Sequence, residues 1–349
     1  MLAFIGCRTT KERNARGEGI SLVSYNEIDG SLKLVHLEKG LTNPSYLVIN
    51  KAGDRLYIVH GDGSEVSVFK FDANSRKLTH LNTQDTGGLN PVHLALSQNE
   101  KHLVVSNHIT SSLAVLPINA EGGLLERSHL IQLAGEPGPH RKEQPFSKPH
   151  FNPFDPSGRF VVVPDKGLDK IFLYEFKNGQ LDSTHLTEVD CRETSGPRNL
   201  VFHTTKPWAY VVNELDSTIT AYEFDNKTGA LVPFQILSGL SDRFTGNSRA
   251  SGITLDMMGK TLYSSHRGAD AIAVMKIDSE TGSLTLIQTI SGQGKTPRFI
   301  TLSPDGKWLY ALNEDSDNII TFAVMPETGL LQETSQCFIT GSPVCMVFN

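Results

Sequence analysis

The chain has 349 residues, 38% apolar and 20% charged, with a formal net charge of −6 at pH 7. A net negative chain argues against nucleic acid as the principal partner. The absence of an uninterrupted apolar run of about 18 residues argues against a transmembrane helix or a membrane partner.

The chain begins with a lone apolar run, Met1 to Cys7, followed by strand-like runs at Gly19 to Tyr25 and Ser31 to Leu37. From there a unit of about 48 residues recurs, each copy opened by a proline at the head of a short apolar run. The prolines are Pro44, Pro91, Pro149, Pro197, Pro297 and Pro343, in steps of 47, 58, 48, 100 and 46 residues. The 100-residue step holds two copies. Ala250 takes the proline's place there, because Ile253, Leu255, Gly259 and Leu262-Tyr263 fall where Ile300, Leu302, Gly306 and Leu309-Tyr310 fall in the next copy. Such a period, with each unit too small to bury a core alone, marks a repeat architecture.

The copy from Arg298 shows the grammar of one unit. Arg298 to Leu302 is an apolar run, Pro304 to Lys307 a turn, Trp308 to Leu312 a second run and Asn313 to Asp317 a polar loop. Asn318 to Val324 then alternates, Pro326 to Gly329 turns, and a fourth run follows Leu330. Four short strands joined by Gly, Asp and Pro turns make one antiparallel blade. No stretch of 12 residues sustains helical periodicity, so the chain reads as all-β. Seven copies predict a seven-bladed β-propeller, four antiparallel strands to a blade, as one domain over residues 1–349. The first three runs lack an innermost strand and Ser342 to Phe348 is one with no blade to follow, so pairing the two closes the ring and removes two exposed edges.

In this topology the start of each innermost strand and the end of the second strand lie on one face of the disc, around the central channel. The first position reads Ser45, Val92, His150, Arg198, Ser251, Arg298 and Val344. The second reads His60, Asn107, Asp165, Asn213-Glu214, His266-Arg267 and Asn313-Glu314. Asn, Asp and Arg at such places also serve to satisfy inner backbone groups, and Asn213 and Asn313 are assigned to turn formation. Successive blades nevertheless bring His150, then Arg198 with Glu214, then Arg267, an acid, base and cation set suited to an anionic substrate. These four are the expected catalytic residues. Arg298, Asp165 and His266 are expected to bind substrate, as is Arg141, which lies in an over-long loop from Gly135 to Pro145 that enters the His150 blade from the same face. No cofactor or metal is expected, since the arginines beside Glu214 compete with a cation for its carboxylate. The four cysteines, Cys7, Cys191, Cys337 and Cys345, lack CxxC or CxxH spacing and read as reduced packing residues. Leu2 to Cys7 has the look of a lipoprotein box without its basic leader, which places the protein in the cytoplasm.

At these residues the chain resembles the lactonase family of seven-bladed propellers, which includes bacterial 6-phosphogluconolactonases and fungal carboxy-cis,cis-muconate cyclases. The resemblance spans nearly the whole chain. It is most specific at Gly196-Pro197-Arg198, Val211 to Thr218, Asp242 to Asn247, Ser264 to Gly268 and Lys295 to Arg298, with further matches at Pro164 to Ile171 and Ser342 to Cys345. The family's His, Arg, Glu and Arg carry over onto His150, Arg198, Glu214 and Arg267. Lys148, Gly252 and His266 depart from the family's usual histidine, acidic residue and asparagine. The resemblance implies hydrolysis of a sugar lactone, with 6-phosphogluconolactone the leading substrate and a small anionic lactone the partner. A muconate-type lactonising reaction, another lactone, or a non-catalytic ligand-binding propeller are the alternatives. In this reading the arginines hold the oxyanion or a substrate anion, and Glu214 and His150 share the roles of acid and base. All four residues then serve the ligand more than the core, so substituting Glu214 or Arg198 is expected to move the melting temperature little.

Overall fold

The computed structural model describes residues 1–349, the side chain of His185 excepted. The strands gather into seven small antiparallel sheets. We number the blades in chain order by their innermost and second strands. Blade 1 has Pro44–Ile49 and Arg55–His60, and blade 2 has Pro91–Leu96 and His102–Asn107. Blade 3 has Phe160–Asp165 as its second strand. Blade 4 has Pro197–Phe202 and Trp208–Asn213, and blade 5 has Arg249–Leu255 and Thr261–Arg267. Blade 6 has Pro297–Leu302 and Trp308–Asn313. Blade 7 takes its innermost strand, Pro343–Phe348, from the end of the chain and its second, Leu2–Cys7, from the beginning. The two pair antiparallel, with Ala3 opposite Phe348 and Gly6 opposite Cys345, so the ring closes without free inner edges. Among the described residues, no helix is long and apolar enough to cross a membrane.

Blade faces pack on blade faces. Trp208, Tyr210, Val212 and Ile219 of blade 4 share one core with Ala273, Met275 and Ile277 of blade 5. A tyrosine in the second strand stitches several of these joints, its hydroxyl donating to a turn carbonyl of the next blade. Tyr57 reaches Gly122 O, Tyr210 reaches Gly282 O, Tyr263 reaches Gly329 O and Tyr310 reaches Gly30 O, all within 2.8–3.0 Å. A buried hydroxyl must find such a partner, and the turn glycines, at φ near +70° in Gly282 and Gly329, let the carbonyl face it.

Blade 3 departs from the expected pattern. Its innermost segment touches the second strand only at two isolated bridges, Pro149 with Asp165 and Phe154 with Val161. Pro153 lies between them and has no N–H to donate to the ladder. The segment is instead held sideways by Asn152, whose Nδ2 donates to Val104 O at 2.8 Å and whose Oδ1 accepts from Ser106 Oγ at 2.7 Å, both in blade 2.

Candidate active site

Six innermost strands carry the same irregularity. The register slips directly after the opening Pro44, Pro91, Pro197, Ala250 and Pro297, and between Pro343 and Cys345. A bulge leaves one residue unpaired and re-aims its side chain. The residues so freed are Ser45, Val92, Arg198, Arg298 and Val344, with Ser251 and Gly252 sharing the slip in blade 5. Ser45, Val92, Arg198, Arg298 and Val344, with His150, line a cavity of about 30 Å³ at the centre of the ring, room for one or two waters. Beneath it Tyr46, Phe151 and Phe299 form an aromatic floor, Tyr46 lying 6.1 Å from Phe299 and 6.3 Å from Phe151 between ring centroids. Arg8 and Arg198, buried beside these rings, interact with their neighbours with less screening than in water.

A second ring follows the second strands. In six blades the backbone N–H just past the strand donates to the residue before the opening proline or, in blade 3, before Pro149: Arg8 to Ser342 O, Gly61 to Asn43 O, His108 to Asn90 O, Lys166 to Lys148 O, Glu214 to Gly196 O and Glu314 to Thr296 O. Arg267 holds the corresponding place in blade 5, one residue past the pairing of His266 with Ala250. Seven equivalent positions thus read Arg8, Gly61, His108, Lys166, Glu214, Arg267 and Glu314. Together the rings hold five cations, Arg8, Lys166, Arg198, Arg267 and Arg298, against the carboxylates of Glu214 and Glu314.

Glu214 is the hub of one half. Its Oε1 accepts from Lys166 Nζ at 3.1 Å and lies 3.2 Å from Arg267 Nη2, while Oε2 accepts from Arg198 Nε at 3.0 Å. Arg198 also donates through Nη1 to Ser251 O at 2.8 Å. Burial would push the Glu214 carboxyl up, but Arg267, Lys166 and Arg198 outweigh it and hold it well below the usual carboxylate range. Burial, with Arg267 adding to it, brings Arg198 down to about 9, still protonated at neutral pH. His150 sits beside this hub with Nδ1 buried and without a hydrogen-bond partner. Burial, then Arg198 and His108, depress it well below its ordinary value, so it is a neutral imidazole at pH 7. The His108 ring meets it edge-on at 5.2 Å.

The long loop crosses the mouth above this half, as its length suggests. Glu143 takes Lys166 Nζ at 3.1 Å on one oxygen and Arg249 Nη2 at 2.8 Å on the other, while Gln144 Nε2 donates to Lys166 O at 2.9 Å. Beside it opens a cleft of about 480 Å³ lined by His140, Asn247, Ser248, Arg249 and Arg267. Arg267 faces this cleft and Glu214 at once.

His150, Arg198, Glu214 and Arg267 are thus brought together, and Arg298 shares the cavity wall with His150 and Arg198, 3.2 Å from Glu314. The other three expected residues stand elsewhere. Asp165 is fully buried and turned into its own loop, accepting from Ser147 Oγ and from the N–H groups of Lys148, Gly167 and Leu168. His266 is fully buried inside blade 5 and bonded to Ser264 Oγ at 2.9 Å. Arg141 is exposed, and the loop presents Glu143 to the site in its stead. Lys166, His108 and Arg8 were missed for a single reason: the second position was read at the strand end, and the channel-facing side chain is the next one. The pairs Asn213-Glu214 and Asn313-Glu314 carried the signal, since the asparagine in each bonds within its own blade.

The site is thus a net-cationic lining around the channel of a seven-bladed propeller. The family model described as lactonase, 7-bladed beta-propeller, matches residues 2–348, and the chain belongs to that family. It is 31% identical to a 6-phosphogluconolactonase of Bacillus subtilis, covering 100% of this chain and 99% of the relative. It is 29% identical to a 6-phosphogluconolactonase of Formosa agariphila over 99% of both. Among solved structures, the periplasmic gluconolactonase of Pseudomonas aeruginosa superposes with a TM-score of 0.92 at 26% identity, covering 99% of each chain. The protein is a lactonase.

Proposed function

We propose that the protein hydrolyses a phosphorylated sugar lactone of the 6-phosphogluconolactone type at the Glu214 half of the channel. The observation that carries this reading is the clustering of Arg198, Arg267 and Lys166 on one carboxylate beside a neutral, unpartnered imidazole. The likeness to relatives named for this activity supports it. Water adds to the lactone carbonyl, and Arg198 and Arg267 stabilise the oxyanion that forms. His150 takes the proton from the attacking water and returns it to the ring oxygen as the carbon–oxygen bond breaks. The oxygens of Glu214 are already taken by three cations, whereas His150 offers an unbonded ring nitrogen, and this availability rather than greater basicity favours His150 for the proton transfer. In this reading Glu214 holds the two guanidiniums in place and leaves the proton transfer to His150. A phosphorylated sugar does not cross a bilayer unaided, which suits action in the cytoplasm.

The test is a purified-protein assay over phosphorylated and plain sugar lactones, corrected for spontaneous hydrolysis. Turnover above background is expected on a phosphorylated δ-lactone, and His150→Asn should lower kcat by about 100- to 10,000-fold. Parent protein that turns over no lactone above its spontaneous rate would overturn the reading in favour of a binding propeller.

A further inference from the structure

Arg8 has the same place in blade 7 as Glu214 in blade 4, and its environment is the reverse. It is 4% exposed and lines the central cavity, yet its Nε and Nη1 have no hydrogen-bond partner. The nearest carboxylate oxygen, Asp62 Oδ2, is 3.8 Å from Nη1, and Asp62 is itself engaged by Arg13 and Asn43. Ser45 Oγ, on the adjacent wall, is a third buried polar atom without a partner. The two residues lie together because blade 1 has glycine in the second ring: a Cβ at Gly61 would fall 2.3 Å from Arg8 Nη1 and 2.7 Å from Ser45 Oγ. Burial, with Arg298 adding to it, brings Arg8 down to about 10. A buried guanidinium with idle donors is costly to a fold unless something arrives to use them.

We propose that Arg8 and Ser45, with Arg298 beside them, form a phosphoryl-binding subsite that reads the far end of the substrate. In a ring of seven, blades 7 and 1 are the two that face blade 4. A ligand with its ester at Arg198 and Glu214 therefore presents to Arg8 whatever lies at its opposite end. A phosphoryl group supplies the oxygen acceptors these three donors lack, and a guanidinium fork suits it. The cavity as it stands holds one or two waters, so a side chain must move aside to admit the phosphoryl group, and Arg298, with 21% of its side chain exposed, is the one of the three with room to do so. Arg8 is delivered by the strand that closes the ring, its N–H bonded to Ser342 O at 3.0 Å, so closure of the propeller completes the subsite. The inference rests on the lactonase reading for the ester end only.

The experiment has two arms. In the first, kcat/KM is measured for a phosphorylated δ-lactone and for its unphosphorylated counterpart. Arg8→Gln should reduce the preference for the phosphorylated lactone by about 10- to 100-fold, Arg8→Lys by less, and Ser45→Ala by a few-fold. In the second, inorganic phosphate binding to the intact protein is followed by calorimetry, independent of turnover. It should weaken about 10-fold or more in Arg8→Gln, whose melting temperature in phosphate-free buffer should not fall below the parent's. Unchanged preference and unchanged phosphate binding in both Arg8 variants overturn the subsite, even with hydrolysis intact. Phosphate binding that depends on Arg8 in a protein that turns over no lactone sustains the subsite while the lactonase reading fails. Should Arg8→Gln not fold, Arg8→Lys and Ser45→Ala decide by the same two measurements.

Discussion

Blade 4 and the junction of blades 7 and 1 face each other across one channel, and each buries an arginine, under opposite conditions. Arg198 gives Nε to Glu214 and Nη1 to Ser251 O, and Glu214 in turn binds Lys166 and Arg267. Arg8 has two idle donors beside a third on Ser45. The half built around Glu214 is preorganised although Arg267 Nε has no partner: Glu214 orients Arg198 and Arg267 before any ligand enters, which is what stabilising an oxyanion requires. The opposite half holds a guanidinium whose nearest carboxylate oxygen stands 3.8 Å away with no hydrogen bond to it, a state that serves ligand affinity at the expense of the fold. The same side chain is thus structural and electrostatic on one wall and receptive on the other.

The sharpest way to break this contrast is Glu214→Gln. It leaves three buried cations without their carboxylate, so stability should fall by about 3–5 kcal/mol and kcat/KM by about 100-fold or more. A small change in melting temperature, as sequence alone suggested, would show that the cluster serves only the ligand. Arg8→Gln should behave in the reverse manner, changing substrate preference without loss of stability.

Acid should come next. Burial holds His93, His108 and His266 near 3, with the charges of Lys166 on His108 and Arg267 on His266 adding to it. Unfolded, each takes a proton near 6.5, so below that pH the unfolded state binds protons the folded state refuses. Each histidine then removes about 1.4 kcal/mol of stability per pH unit as pH falls from about 6.5 towards 3. Asp165, raised to about 6 by burial against its four hydrogen bonds, works the other way between about 6 and 4. These three histidines and Asp165 together give a loss of about 3 kcal/mol per pH unit from pH 6 to 4, and His150, also held well below its ordinary value, adds to it; the profile is read from thermal melts, and a flat one from pH 7 to 5 would contradict it.

The smallest effect belongs to the loop. Glu143→Gln weakens the strap to Lys166 and Arg249 and should alter KM by a few-fold, in keeping with a partly exposed pair worth about 0.5–1 kcal/mol. Arg141→Ala, on the solvent side of the same loop, should leave KM within error. Equal effects from the two would mean that the loop acts by bulk rather than through Glu143.

The sequence by itself determined the architecture, since a proline-headed unit with period-2 strands admits few other solutions and the ends of the chain supply complementary pieces of one blade. It also determined the first ring, because in six blades the bulge falls directly after the opening residue, so counting from that residue is enough to find Arg198 and Arg298. In the second ring the sequence found Glu214, Arg267 and Glu314, and only the tertiary structure decided the positions of Arg8, His108 and Lys166. Along a strand, a shift of one residue turns a side chain to the other face, and at the strand end that single step separates Asp165, spent on its own loop, from Lys166, which binds Glu214. Nor does spacing reveal which of five similar cations acquires a carboxylate. That follows from the order of blades around the ring, which sets Lys166 and Arg267 on either side of Glu214 and leaves Arg8 next to a glycine.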